Sequence, residues 1–141
     1  MSERIEFTVL GTPRPQGSMR PFIDKAGHAN MTSDNPKMKP WRQQIGWTAL
    51  EARGKAGIYE PWGSDVPVRL TTWFVFARPK SAPKRRIFPT VKPDLDKLKR
   101  AVMDALKGII YMDDAQVIEH GVSAKRYGLP ERVEITVEAL R

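Results

Sequence analysis

The chain has 141 residues, 40% hydrophobic and 28% charged, which suits one domain spanning 1–141 and argues against global disorder. Lys and Arg number 24 against 16 Asp and Glu, and the resulting charge of +8 favours a polyanionic partner, because each phosphate neutralised releases condensed counterions. The absence of cysteine excludes a disulfide scaffold, a thiolate zinc site and a cysteine nucleophile. No apolar run approaches the ~18 residues of a membrane span, and the start MSERIEFTVL lacks the pattern of a signal peptide, so a cytoplasmic address is expected.

The first element is a strand over Arg4–Leu10, where Ile5, Phe7 and Val9 alternate with Glu6 and Thr8. From Gly11 to Pro40 the chain is rich in Gly, Pro, Asn, Ser and Lys, shows no period, and reads as one long structureless stretch, either functional or disordered. Its cations Arg14, Arg20, Lys25, Lys37 and Lys39 suit contact with phosphates. Trp41–Arg53 reads as a helix with Pro40 in its first turn, a stripe of Trp41, Ile45, Thr48, Ala49 and Ala52, and Gly54 and Gly57 as the stop. Gly46 weakens that helix by about 1 kcal/mol relative to Ala.

Val66–Ala77 is a second strand, with Val68, Leu70, Thr72, Phe74 and Phe76 on one face. Arg78–Pro93 interleaves four prolines with six cations and only three large apolar residues, Ile87, Phe88 and Val91, so it reads as a basic, extended loop. Asp94–Lys107 is the clearest helix, with Leu95, Leu98, Ala101, Val102, Ala105 and Leu106 at core-facing spacing and Gly108 as its stop. Val117–Lys125 and Arg132–Leu140 alternate as two strands about Gly128-Leu129-Pro130, which suggests an antiparallel hairpin. The order β-α-β-α-β-β gives an α+β fold, a small mixed sheet with helices packed on it.

Four carboxylates sit where charge conflicts with the surroundings. Asp94 and Asp96 follow the basic loop, and Asp113-Asp114 lie between the second helix and the next strand. Helical residues two apart point about 200° from each other, so Asp94 and Asp96 meet on one ion only if Asp94 lies outside the helix. A return of Ile109–Met112 along the helix would bring Asp113 or Asp114 to its start. Clustered carboxylates without His or Cys are the ligand set of hard cations such as Mg²⁺. Within a basic loop they describe a metal-assisted phosphodiester site. The plain alternative is that Asp94 is a helix cap and Asp113-Asp114 an ordinary turn. His28 and His120 have no partner, Asp104 is explained by an ion pair with Arg100 or Lys107, and of four tryptophans only Trp62 is kept open as a base-stacking residue.

The run Lys92-Pro93-Asp94-Leu95-Asp96-Lys97-Leu98, with Asp104-Ala105-Leu106 and then Asp113-Asp114-Ala115-Gln116-Val117, resembles the RusA family of Holliday-junction resolvases. The Gly11-Thr12-Pro13-Arg14-Pro15-Gln16-Gly17 loop is similar to that of phage-type members. The resemblance implies a homodimeric, Mg²⁺-dependent endonuclease, with Mn²⁺ able to substitute, that binds four-way DNA junctions, cuts two strands symmetrically and leaves 5′-phosphate and 3′-hydroxyl ends. It is often prophage-encoded, with roles in recombination and repair. The same resemblance implies that Asp94, Asp96 and Asp114 are catalytic metal ligands with Asp113 as a helper. Where the family's helix can carry an important lysine this sequence has Arg100, with Lys99 adjacent; charge is kept, but shape and acid–base capacity differ. The expected DNA contacts are Arg14, Arg20, Lys84, Arg85, Arg86, Lys92, Lys97 and Lys99. The rival readings are a binding module for branched DNA or RNA that does not cut, and a metal-dependent nuclease for flaps or single strands.

Overall fold

The computed structural model describes residues 3–16, 19–33 and 37–141, with the side chains of 19–22 and 30–33 outside that description. Strand β1 is Arg4–Leu10, with Ile5 and Val9 buried as the alternation predicts. The stretch read as structureless contains a hairpin, β2 (Met19–Ile23) paired antiparallel with β3 (Ala29–Ser33). Its turn is closed locally, because the Asp24 carboxylate accepts from the backbone N–H of Ala26 (3.0 Å) and His28 (2.8 Å).

Helix α1 spans Met38–Lys55, longer than predicted at both ends, and α2 spans Leu95–Leu106. A Cβ on Gly46 would lie 3.1 Å from Ile109 Cδ1 and 3.7 Å from the Ala105 carbonyl. That glycine lets α1 lie close against the end of α2, which offsets its weak helix propensity. The stripe Leu98, Ala101, Val102, Ala105 and Leu106 is buried, and joins Trp41, Ile45 and Ala49 of α1 in the core.

Strand β4 (Val68–Phe76) lies between β7 (Arg132–Ala139), antiparallel on one side, and β5 (Val117–His120) and β6 (Ala124–Tyr127), parallel on the other. β1 completes the sheet beyond β7. The fold is mixed α+β as expected, but its order is β-β-β-α-β-α-β-β-β, because a hairpin is added and one strand is divided. The expected antiparallel hairpin at the C-terminus is not formed. The turn at Gly128–Pro130 instead crosses the end of β4, where the Gly128 N–H donates to the Phe76 carbonyl at 2.9 Å.

The division of β5 from β6 has a steric cause. Gly121 rests on Thr71 with no space for a side chain, and the Ser123 hydroxyl accepts the Thr72 N–H (3.1 Å) while donating to the Gly121 carbonyl (3.0 Å). Among the described residues no helix is long and apolar enough to cross a membrane.

Candidate functional site

The connection from β4 to α2, residues 78–93, is a strap tied down by cations from within and from β6. The Arg78 guanidinium donates to the carbonyls of Ala82, Pro83 and Arg86. Lys125 Nζ donates to the carbonyls of Val91 (2.8 Å) and Pro93 (2.9 Å). The Arg126 guanidinium sits 4.8 Å from the Trp73 ring centroid and 5.3 Å from that of Phe88. These three cations are structural. Among the described residues nothing engages the side-chain charges of Lys80, Lys84, Arg85, Arg86 or Lys92, which leaves them available to a polyanion. The ordering of the strap by Lys125 and Arg126 was not visible in sequence, since both come from a strand far along the chain.

The strap delivers the chain to α2 with Asp94 as its N-cap, at φ −72° and ψ 143°. Asp94 is thus outside the helix, the condition under which it and Asp96 can face one ion. Its side chain makes no capping hydrogen bond, so capping does not account for it. Both carboxylates are exposed. Arg100 is exposed as well, and no ion pair joins it to Asp96 or Asp104 among the described residues. Lys97 and Lys99 are half-buried on the same helix, and the His120 pKa is lowered first by burial and then by the Lys99 charge. Arg14 is half-buried in the loop after β1, where the backbone N–H of Gln16 reaches the Lys97 carbonyl at 2.9 Å. The Arg20 side chain lies outside the described residues.

A second acidic locus lies at the other end of α2. The chain leaves the helix in a tight turn, with the Gly108 N–H donating to the Tyr111 carbonyl (2.6 Å) and the Tyr111 hydroxyl to the Met103 carbonyl (3.0 Å). It does not run back to the helix start. The charges that reach Asp114 are those of Asp104, Lys107 and Asp113, not Asp94 or Asp96. Eight residues of helix separate Asp96 from Asp104, about 12 Å of axial rise. One chain therefore holds the predicted set apart, Asp94 and Asp96 at one end and Asp114 at the other. Among the described residues no three acidic or imidazole groups form a metal-binding cluster.

Asp113 and Asp114 differ in role. Asp113 caps the single 3₁₀ turn Asp114–Gln116, its carboxylate accepting from the Ala115 N–H at 3.0 Å. Asp114 is not spent on its own backbone. Its Oδ1 is buried with no hydrogen-bond partner, and its pKa is raised, first by burial and then by the Asp104 charge, with Lys107 opposing. Asp104 itself has no ion pair among the described residues, contrary to the expected pairing with Arg100 or Lys107. The Asp-Ala-Leu motif contained this second carboxylate, but its mid-helix position invited the cheaper explanation.

Gln116 positions the turn. Its Oε1 accepts from the N–H of Met112 (2.8 Å) and Asp113 (2.9 Å), while Nε2 donates to the carbonyls of Trp62, Gly63 and Val66. Trp62, kept open for base stacking, is buried, and its indole N–H donates to Glu3. Its role is packing.

The Endodeoxyribonuclease RusA family matches residues 13–138 of this chain. The chain belongs to the RusA family of endodeoxyribonucleases. It is also 35% identical over 137 residues to the uncharacterized protein YqaN of Bacillus subtilis (strain 168), a match covering 94% of each chain. RusA membership implies Holliday-junction resolvase activity.

Proposed function

We propose that this RusA-family protein is a Mg²⁺-dependent, structure-specific endonuclease that resolves four-way DNA junctions by paired symmetric cuts, acting as a homodimer. The observation that carries the metal reading is the buried Oδ1 of Asp114, without a hydrogen-bond partner among the described residues, within reach of the Asp104 charge, which has no ion pair among them either. Among the described residues Lys107 is the cation that offsets this pair, and hard oxygen donors of this kind suit Mg²⁺, which takes one or two carboxylates and completes its shell with water and phosphate. Bound there, the ion would neutralise phosphate charge and acidify a water. Asp94 and Asp96, free of capping duties, are the remaining ligands, and Mn²⁺ should replace Mg²⁺. Because one chain holds the two ends of α2 apart, a complete site takes Asp94 and Asp96 from one protomer and Asp104 and Asp114 from its partner.

The protein's own cations do the rest. Lys84, Arg85, Arg86 and Lys92 of the strap, with Arg14, Arg20, Lys97 and Lys99, hold the DNA backbone. Arg100, exposed and without an ion pair among the described residues, supports the charge that develops on the scissile phosphate. Incubating the protein with synthetic four-way junctions and with linear duplex, with and without Mg²⁺, tests this. Paired symmetric nicks near the branch, only with metal and only on junctions, are expected. Metal-independent cutting, or equal cutting of duplex, would overturn the reading.

A further inference from the structure

Phe88 stands out because the fold gives it support but no cover. It is 51% exposed and the neighbouring Ile87 68%, on a strap with no acidic residue between positions 78 and 93. A floppy loop would explain an exposed aromatic cheaply, but this strap is not floppy. Arg78, Lys125 and turns such as the Thr90 N–H on the Phe88 carbonyl (2.8 Å) fix its backbone, and the next residue, Pro89, is buried. The Arg126 guanidinium lies between the Trp73 and Phe88 rings, so the phenyl group is held by a cation stacked on an indole. Next to it Pro83, Arg85, Arg86, Ile87 and Thr90 line an open cleft of about 420 Å³.

We propose that Phe88 is a stacking platform for a base that has left its duplex, and that it biases the protein toward branch points and single strands over intact duplex. The proposal rests on the nucleic-acid reading above. A positively charged track carrying an exposed, preorganised aromatic is the arrangement that holds unpaired nucleotides, since every base has a π-face. The free charges of Lys84, Arg85, Arg86 and Lys92 select a polyanion over an apolar protein surface. In paired duplex the base faces are already stacked, so the ring has nothing to accept it there. At a branch, the bases at the crossover give up stacking at least cost.

The test is equilibrium binding, without divalent metal, of the parent, Phe88→Ala and Phe88→Trp to a four-way junction, a single strand and a duplex of matched sequence. Phe88→Ala should weaken single-strand and junction binding by roughly 5- to 150-fold, the equivalent of about 1–3 kcal/mol per stacked base at 1.4 kcal/mol per tenfold, and leave duplex binding within about two-fold. Phe88→Trp should restore both. A fluorescent adenine analogue at the branch should brighten on binding the parent and not Phe88→Ala. Equal losses on duplex, as collapse of the strap would give, or no loss on any ligand, would overturn the proposal. Because no cutting is measured, a protein that binds in this way but fails to cleave junctions would refute the proposed activity and leave this inference standing.

Discussion

Replacing Gln116 should unfasten the turn that presents Asp114 and destabilise the whole chain. Gln116→Leu keeps the volume and removes five hydrogen bonds, stranding the N–H groups of Met112 and Asp113. The Gly63 carbonyl keeps the Val66 N–H as a donor, so the deficit falls on those two amides and on the Trp62 and Val66 carbonyls. An unsatisfied buried polar group costs about 1–3 kcal/mol, and water reaches part of this turn, so about 2–4 kcal/mol is expected in total. With a slope of about 1–3 kcal/mol/M, the urea midpoint should drop by roughly 1–3 M. Gln116→Glu separates the two halves of the amide, because a carboxylate still accepts from both N–H groups but faces three carbonyls with nothing to donate. Burial and those carbonyls raise its folded pKa above the unfolded value, so its stability is fullest at acid pH and declines as pH rises through the folded value. If Gln116→Leu unfolds within about 0.5 kcal/mol of the parent, the amide is not what holds this turn.

Other perturbations separate the roles of the cations. Neutralising Lys84, Arg85 and Arg86 together should weaken DNA binding regardless of sequence and flatten the slope of log affinity against log salt by about 0.9 per lost phosphate contact; an unchanged slope would place the footprint elsewhere. Arg100→Ala should slow single-turnover junction cleavage by roughly 100–1,000-fold with binding preserved, and Arg100→Lys should recover part of that; cleavage within a few-fold of the parent would shift attention to Lys99. The His120 pKa is lowered by burial and by Lys99, against the raising effect of the Leu70 carbonyl. Its contribution to stability is therefore complete above the unfolded value of about 6.5 and is lost as pH falls through the folded value, a decline in melting temperature that His120→Gln should flatten.

Elements with a strong period were legible. Strand β1, the buried face of β4 and the stripe of α2 follow from alternation and from helical spacing, because burial on one face imposes that pattern on the residues themselves. What period cannot convey is adjacency. β6 and β7 alternate as strands do, yet nothing in either says that they pair with opposite edges of β4. The β2–β3 hairpin is not legible, because its turn at Asp24–His28, closed by the Asp24 side chain and by backbone bonds, lies within a segment that otherwise reads as loop. At the site, the carboxylates and free cations could be named from residue type and motif. Their distribution between two ends of a helix, and the support of Phe88 by Arg126, depend on packing between distant segments.

The separation of the carboxylates makes the proposed assembly testable with two inactive variants. Take Asp94→Asn and Asp114→Asn, each made and purified alone. Both should bind junctions and fail to cut, since phosphate contacts supply the affinity and the carboxylates do not. If each site were complete within one chain, a mixed dimer would contain two sites with one defect apiece, and mixing would restore nothing. If instead each site draws Asp94 and Asp96 from one protomer and Asp114 from the other, the mixed dimer places both defects in one site and leaves its companion intact. Mixed protein should then nick one strand of the junction in Mg²⁺ without the symmetric second cut, with activity limited by the fraction of mixed dimers. A cross-linked sample, in which protomers cannot exchange after mixing, should stay inactive. Silence from the freely exchanging mixture, once subunit exchange is shown directly, would mean that α2 and the turn at Asp114 meet within one protomer, contrary to the spacing seen here.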